Sequence, residues 1–210
     1  FSGIHKDTWS LDFATASLTW SQESSGGPLA GRMGHSAVLR GQEMLVVGGY
    51  NYWGSLSAPL PPAGFGDFAS FNLSTKTWKL LPSASGRWKG ASAWDSKNNQ
   101  AVFLGGSGSG NVSLLSLDPA TAGWNFPQTS GSEPPQLEGA SAVSYVNATV
   151  NWLIVFGGKG ATYYNDVWIL DRNTNIWSKP TPSGTPPTPR AGHTAVVNSQ
   201  NMITFGGFNG

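Results

Sequence analysis

Short apolar runs in this chain end again and again in a pair of glycines. Four β-prone stretches do so: Met44 into Gly48-Gly49, Ala101 into Gly105-Gly106, Leu153 into Gly157-Gly158, and Met202 into Gly206-Gly207. Val, Ile, Leu and Phe dominate them, which suits strands better than helices. Ahead of each lies a second alternating stretch: Gly34 to Val38, Lys89 to Ala93, Glu138 to Ala142, and Gly192 to Val196. An aromatic or apolar strand and then a lone tryptophan complete the pattern, from Trp9 to Trp20, Phe68 to Trp78, Leu114 to Trp124 and Trp168 to Trp177. Between the last two strands sits a turn with Asp or Asn followed by Thr, as in Asp171-Arg172-Asn173-Thr174. Each period therefore predicts four short strands separated by tight turns.

The second glycines of the pairs are 57, 52 and 49 residues apart, and the closing tryptophans 58, 46 and 53. A period near this length marks a repeat architecture in which each unit buries its apolar face against its neighbours. The glycine pair after the second strand, the Asp166-Val167-Trp168 opening of the third strand and the closing Trp177 together closely resemble the kelch repeat. His5-Lys6-Asp7-Thr8-Trp9 repeats the third-strand opening, and Asn111-Val112-Ser113-Leu114 departs from it. The resemblance covers nearly the whole chain and points to the kelch-repeat β-propeller family within the galactose-oxidase-like superfamily.

That resemblance implies an all-β fold, a kelch-type β-propeller of four-stranded antiparallel blades around a central channel. About four blade-equivalents are covered, in one domain over 1–210: a half repeat 1–24, repeats 32–80, 87–126 and 136–179, and a half repeat 190–210. The two halves would close a four-bladed ring if they paired. The alternative, favoured because the resemblance more often implies it, is a share of a six- or seven-bladed propeller; open half-blades would otherwise expose strand edges that invite aggregation. The glycine pairs (Gly48, Gly49, Gly105, Gly106, Gly157, Gly158, Gly206, Gly207) are expected to let backbones crowd near the axis. Trp20, Trp78, Trp124 and Trp177 are expected to pack between blades.

Composition narrows the function classes. Only 11% of the 210 residues are charged, while ten Trp and ten Phe supply material for a packed core. A net charge of +1 leaves no basic stripe for nucleic acid. The longest apolar run, Trp152 to Phe156, is too short for a membrane span in the covered region. The absence of cysteine removes disulfides, thiolate metal sites and thiol nucleophiles. It also excludes, for these residues, the Tyr–Cys cofactor of the copper-radical oxidases that share the kelch resemblance. Sequons begin at Asn72, Asn111 and Asn147, which makes a glycoprotein, secreted or a membrane ectodomain, the expectation over a cytoplasmic protein. Chance occurrence in an Asn- and Ser-rich chain is the alternative.

No catalytic residue, metal ligand or cofactor is expected. His35 and His193 share one repeat position after Arg-x-Gly, and Asp7, Asp67 and Asp166 recur before the third strand. Recurrence of this kind marks framework residues, since a catalytic group is usually unique. No paired carboxylates, His-x-x-x-His run or Gly-x-Ser-x-Gly elbow occurs, and Gly105 to Gly110 lacks the lysine of a phosphate loop. Candidate partner residues lie in the loops, where repeat folds place interaction. They are Tyr50, Tyr52 and Trp53, Tyr163 and Tyr164 beside Lys159, and Phe208, residue types suited to binding hot spots. The kelch resemblance adds an arginine at the start of the first strand, matched by Arg32, Arg87 and Arg190, with Gln136 in the remaining copy. Three guanidiniums around a mouth would suit an acidic or phosphorylated segment; stacking on neighbouring blades is the equal alternative. The expected function is a non-catalytic scaffold for a protein or peptide partner. A carbohydrate-binding module using Tyr50, Tyr52 and Trp53, or part of a secreted galactose-oxidase-like enzyme, is the alternative.

Overall fold

The computed structural model describes residues 3–14, 18–51, 64–108, 114–118, 121 and 123–210. These residues form strands and no helix. Strands β1 (Thr8–Asp12) and β2 (Thr19–Ser24) make an antiparallel pair. The first four-stranded sheet follows, β3 (Ser36–Arg40), β4 (Glu43–Val47), β5 (Phe68–Asn72) and β6 (Thr77–Leu81), in chain order. The second contains β8 (Ala91–Asp95), β9 (Gln100–Leu104), β11 (Leu115–Asp118) and β12 (Gly123–Asn125), with β7 (Arg87–Trp88) pairing to β10 (Ser107–Gly108) at its margin. The third joins β14 (Ser141–Val146), β15 (Asn151–Phe156), β16 (Val167–Asp171) and β17 (Ile176–Ser178), and the two-residue β13 (Ser130–Gly131) adds a parallel edge to β17. A final antiparallel hairpin is β18 (Ala191–Asn198) and β19 (Asn201–Phe208). The architecture is that of a kelch β-propeller, and β1–β2 and β18–β19 are separate two-stranded sheets.

The ends of β4, β9 and β15 that run into glycine pairs are largely buried, which is why they read as unbroken apolar runs, whereas β19 leaves Ile203 51% and Phe205 82% exposed. Ala101, Val102, Phe103 and Leu104 of β9 are all below 5% exposed. Their side chains divide between two interfaces. Ala101 and Phe103 join Leu45, Val47, Phe68 and Leu81 of the first blade, whereas Val102 and Leu104 join Leu153, Val155, Trp168 and Leu170 of the third. The core thus lies between blades, not within them.

Two of the four closing tryptophans, Trp177 and Trp124, serve those interfaces. Trp177 is buried in the cluster shared by the second and third blades. The Trp124 ring lies 4.2 Å from Phe68 and 6.1 Å from Phe103, and its Nε1 donates to Pro82 O at 2.6 Å. Trp78 packs 5.1 Å from Phe71 and joins Leu29 on the opposite side of the first blade. Trp20 departs from the expectation: it is 64% exposed, because its two-stranded sheet has no further sheet stacked over that ring among the described residues.

Every glycine of the four pairs has positive φ, a conformation costly for side-chain-bearing residues. The corner is also crowded. A Cβ on Gly48 would sit 2.3 Å from Arg87 O, and one on Gly105 2.4 Å from Leu137 O. The second glycine of each of the first three pairs donates its N–H to the next blade: Gly49 to Arg87 O at 2.8 Å, Gly106 to Leu137 O at 2.7 Å, and Gly158 to Arg190 O at 2.8 Å. Two residues after each corner's partner, a second set of bonds runs in the opposite sense, from each blade back to the one before. Lys89 N donates to Gly34 O, Gly139 N to Lys89 O and Gly192 N to Gly139 O, at 2.7, 2.7 and 2.8 Å. All four residues of this ladder are left-handed. Its register corrects the alignment of the arginines: the third copy of that position is Leu137, buried in the core, and not Gln136.

Candidate functional site

The arginines at the start of each first strand act on the glycine corner of their own blade. Arg32 donates through one terminal nitrogen to Gly48 O at 2.7 Å and grips Asp67 with two bonds of 2.8 Å, while its guanidinium lies 4.6 Å over the Phe65 ring. Arg87 reaches Gly105 O at 3.5 Å, and burial lowers its pKa. Arg190 donates to Gly206 O at 3.0 Å and to Thr188 Oγ1 at 2.9 Å. Arg32 and Arg87 are buried; Arg190 is partly exposed. A guanidinium suits this task because several donors in one plane satisfy a carbonyl and a carboxylate together.

His193 belongs to the same framework. Its Nε2 lies 2.8 Å from Ser141 Oγ in the third blade, and its ring meets Phe156 edge-on at 5.2 Å. Burial, reinforced by the nearby charge of Arg190, holds the imidazole pKa below its ordinary value of 6.5, against a smaller raising contribution from the Phe156 backbone. His193 is therefore neutral in the folded state at neutral pH.

Between the second and third blades, beside these corners, opens a cleft of about 430 Å³. Gly106 and Ser107 form one wall, Gln136 and Glu138 the floor, and Lys159, Gly160 and Tyr164 the other wall. Glu138 and Lys159 exchange backbone hydrogen bonds of 2.9 Å, fixing floor to wall. The Glu138 carboxylate accepts from Ser107 Oγ at 2.9 Å and lies 3.7 Å from Lys89 Nζ. Gln136 Nε2 donates to Gly106 O at 3.3 Å. Lys159 lies exposed over the Tyr163 ring, 5.3 Å from its centroid, and the Tyr163 ring in turn meets Phe208 at 5.7 Å. Two ammonium groups against one carboxylate leave the cleft with an excess of positive charge.

Of the loop residues picked out from sequence, Tyr164 lines the cleft, with Tyr163 and Phe208 adjoining it and Phe208 61% exposed. Tyr50 stands apart, edge-on to Trp88 at 5.9 Å and backbone-paired with Met33. Tyr52, Trp53 and Asn111 lie outside the described residues. Asn147 is exposed in the turn between β14 and β15, and Asn72 is half-buried at the end of β5. Sequence reasoning did not find Ser107 or Glu138, whose only signal is that each stands beside a glycine corner or ladder residue. It also passed over Arg172, which bonds Asp95 across the blade boundary far from the mouth.

Comparison with known proteins agrees with the geometry. The model of the KLHDC2/KLHL20/DRC7 Kelch-repeats domain matches residues 2–207. Acyl-CoA-binding domain-containing protein 5 of Arabidopsis thaliana is 32% identical over 213 residues, covering 95% of this chain and 30% of that protein. The Rab9 effector protein with kelch motifs of Mus musculus is 32% identical over 200 residues, covering 85% of this chain and 48% of its own. Host cell factor 1 of Homo sapiens is 34% identical over 118 residues, 54% of this chain and 6% of that protein. The chain spans less than half the length of each of these relatives. With its laced inner wall, paired glycine corners and a match over 2–207, the chain belongs to the family of the KLHDC2/KLHL20/DRC7 Kelch-repeats domain.

Proposed function

We propose that this chain is a non-catalytic interaction scaffold that holds a protein or peptide partner at its mouth, in the cleft between the second and third blades. The observation that carries the reading is the cleft itself. It is a concavity with a floor tied by the Glu138–Lys159 backbone pair and an aromatic and cationic wall of Lys159 and Tyr164, with Tyr163 adjoining under Lys159. An extended acidic segment fits it, because Lys159 and Lys89 offer ammonium groups while Ser107 and Gln136 offer polar contacts. Arg190 and Phe208 extend the surface toward the last hairpin. Arg32 and Arg87 stand behind it as supports of the corners. The named role of the mouse relative, an effector of Rab9, supports a task exercised on another protein.

The compartment in this reading is the secretory route, supported by sequons at Asn147 in an exposed turn and at the half-buried Asn72 that ends β5. No helix among the described residues is long and apolar enough to cross a membrane. Selection of peptides from a random display library on the immobilised protein tests the function: acidic sequences should be enriched, and Lys159→Glu should abolish their binding.

A further inference from the structure

Asn147 sits in the turn between β14 and β15, and the turn presents its amide. The backbone closes with Asn147 N donating to Val150 O at 2.9 Å. The side-chain Oδ1 accepts from Thr149 N at 2.9 Å, Thr149 Oγ1 at 3.2 Å and Val150 N at 2.8 Å. With Oδ1 so occupied, Nδ2 is turned to the opposite side, where it meets the Tyr145 hydroxyl at 3.2 Å. Asn147, Ala148 and Thr149 are all exposed. Tyr145 and Asn147 line the same groove, and the register sets Trp152 directly opposite Tyr145, with ring centroids 6.2 Å apart.

This groove, of about 390 Å³, lies between the third blade and the β18–β19 hairpin. Trp152, Val197 and Met202 give it an apolar lining, and Gln200 and Asn201 place amides beside it. A pyranose ring has an apolar face of C–H bonds and a rim of hydroxyls. Aromatic rings with a polar tip, bordered by amides, match both parts. The second described sequon lacks such a seat. Asn72 forms a similar turn, accepting from Ser74 N and Thr75 N at 2.9 Å each, but it is half-buried and the residue two before it is the buried Ser70.

We infer that Asn147 carries an N-linked glycan whose first N-acetylglucosamine rests on Tyr145 at the mouth of this groove; the inference rests on the secretory reading above. In the transfer, Asn147 Nδ2 forms a bond to the anomeric carbon of an oligosaccharide carried on a polyprenyl diphosphate. The anomeric C–O bond to phosphate breaks, its electron pair leaves with the lipid diphosphate, and the amide gives up one proton. The remaining N–H stays available as a donor, and the sugar ring lies over the tyrosine.

The test is site occupancy in the protein isolated from its source, read by mass spectrometry of peptides released with a glycan-removing amidase in heavy-oxygen water. That treatment converts an occupied Asn to labelled Asp. The Asn147 peptide should be labelled in most molecules. Expressed in the same cells, Tyr145→Ala should lower its occupancy and melting temperature, Tyr145→Phe should restore both, and trimming to a single N-acetylglucosamine should keep the melting temperature above that of Asn147→Gln. An unlabelled Asn147 peptide beside a labelled Asn72 or Asn111 peptide overturns the inference and leaves the secretory reading standing. No label at any of the three overturns both. Full occupancy with Tyr145→Ala indistinguishable from the parent removes the seat.

Discussion

The Arg172 guanidinium of the third blade meets the Asp95 carboxylate of the second, Nε to Oδ2 at 3.2 Å, with only 4% and 3% of the two side chains exposed. The remaining capacity of both groups is met by amides. Asn151 and Asn98 donate to Asp95 at 3.0 and 2.8 Å, and Arg172 donates to Asn175 and Gln100 at 2.8 and 3.0 Å. A buried ion pair stripped of one partner leaves an uncompensated charge. Asp95→Ala should therefore cost about 3–5 kcal/mol of stability, read by denaturant unfolding, and replacing both residues by Leu and Met should cost less than that single change.

The glycine corners offer an internal comparison. Gly48 and Gly206 occupy the same repeat position at φ of 62° and 75°. A Cβ at Gly48 meets Arg87 O at 2.3 Å, whereas one at Gly206 meets nothing within 4 Å. Alanine at either position bears the backbone strain, about 1–3 kcal/mol, but at Gly48 it must also push the neighbouring blade away. Melting curves should show Gly48→Ala distinctly less stable than Gly206→Ala.

Trp177 and Trp20 should separate in the same way. Trp177 is 3% exposed and its indole fills the cluster between the second and third blades, so Trp177→Ala should cost about 3–5 kcal/mol. Trp20 is 64% exposed, and its replacement should stay within about 0.5 kcal/mol. Thermal unfolding of the two variants side by side checks the assignment.

His193 gives stability a pH dependence of known sign. Its folded pKa lies below the ordinary 6.5, so below that value the unfolded chain binds more protons than the folded one. Its contribution is fully present above the unfolded value and is lost as pH falls from there through the folded value. His193→Gln should keep a partner for Ser141 and flatten this limb of the stability profile in part, leaving the share of His35, whose pKa burial and Arg32 also lower. The carboxylates with lowered pKa, Asp7 and Glu23, act in a more acidic window and should leave it unchanged.

The repeat was legible because its strongest marks are conformational. Two successive left-handed residues admit little but glycine, and a large indole recurs where blades meet. The arginine alignment was only partly legible. Lys89 holds a left-handed position that glycine fills in the other copies, so no glycine marks the second copy, and in the third Gln136 stands one residue from the true place of Leu137. The Asp95–Arg172 contact joins turns 77 residues apart and leaves no trace in local pattern. The cleft was hidden for a related reason: Glu138 and Lys159 read as ordinary loop charges until the backbone pairing sets them on adjacent walls. The exposure of Trp20 reflects which sheet stacks on which, and periodicity carries no information about that.

The central claim, a peptide-holding cleft between the second and third blades, is tested most directly by the display selection followed by affinity measurement on the best binder. The account predicts acidic sequences whose affinity falls at least about tenfold, or 1.4 kcal/mol, with Lys159→Glu and with Tyr164→Ala, and holds with Trp152→Ala on the far groove. Binders indifferent to Lys159→Glu and Tyr164→Ala, or no enrichment over an unrelated β-propeller, would contradict it.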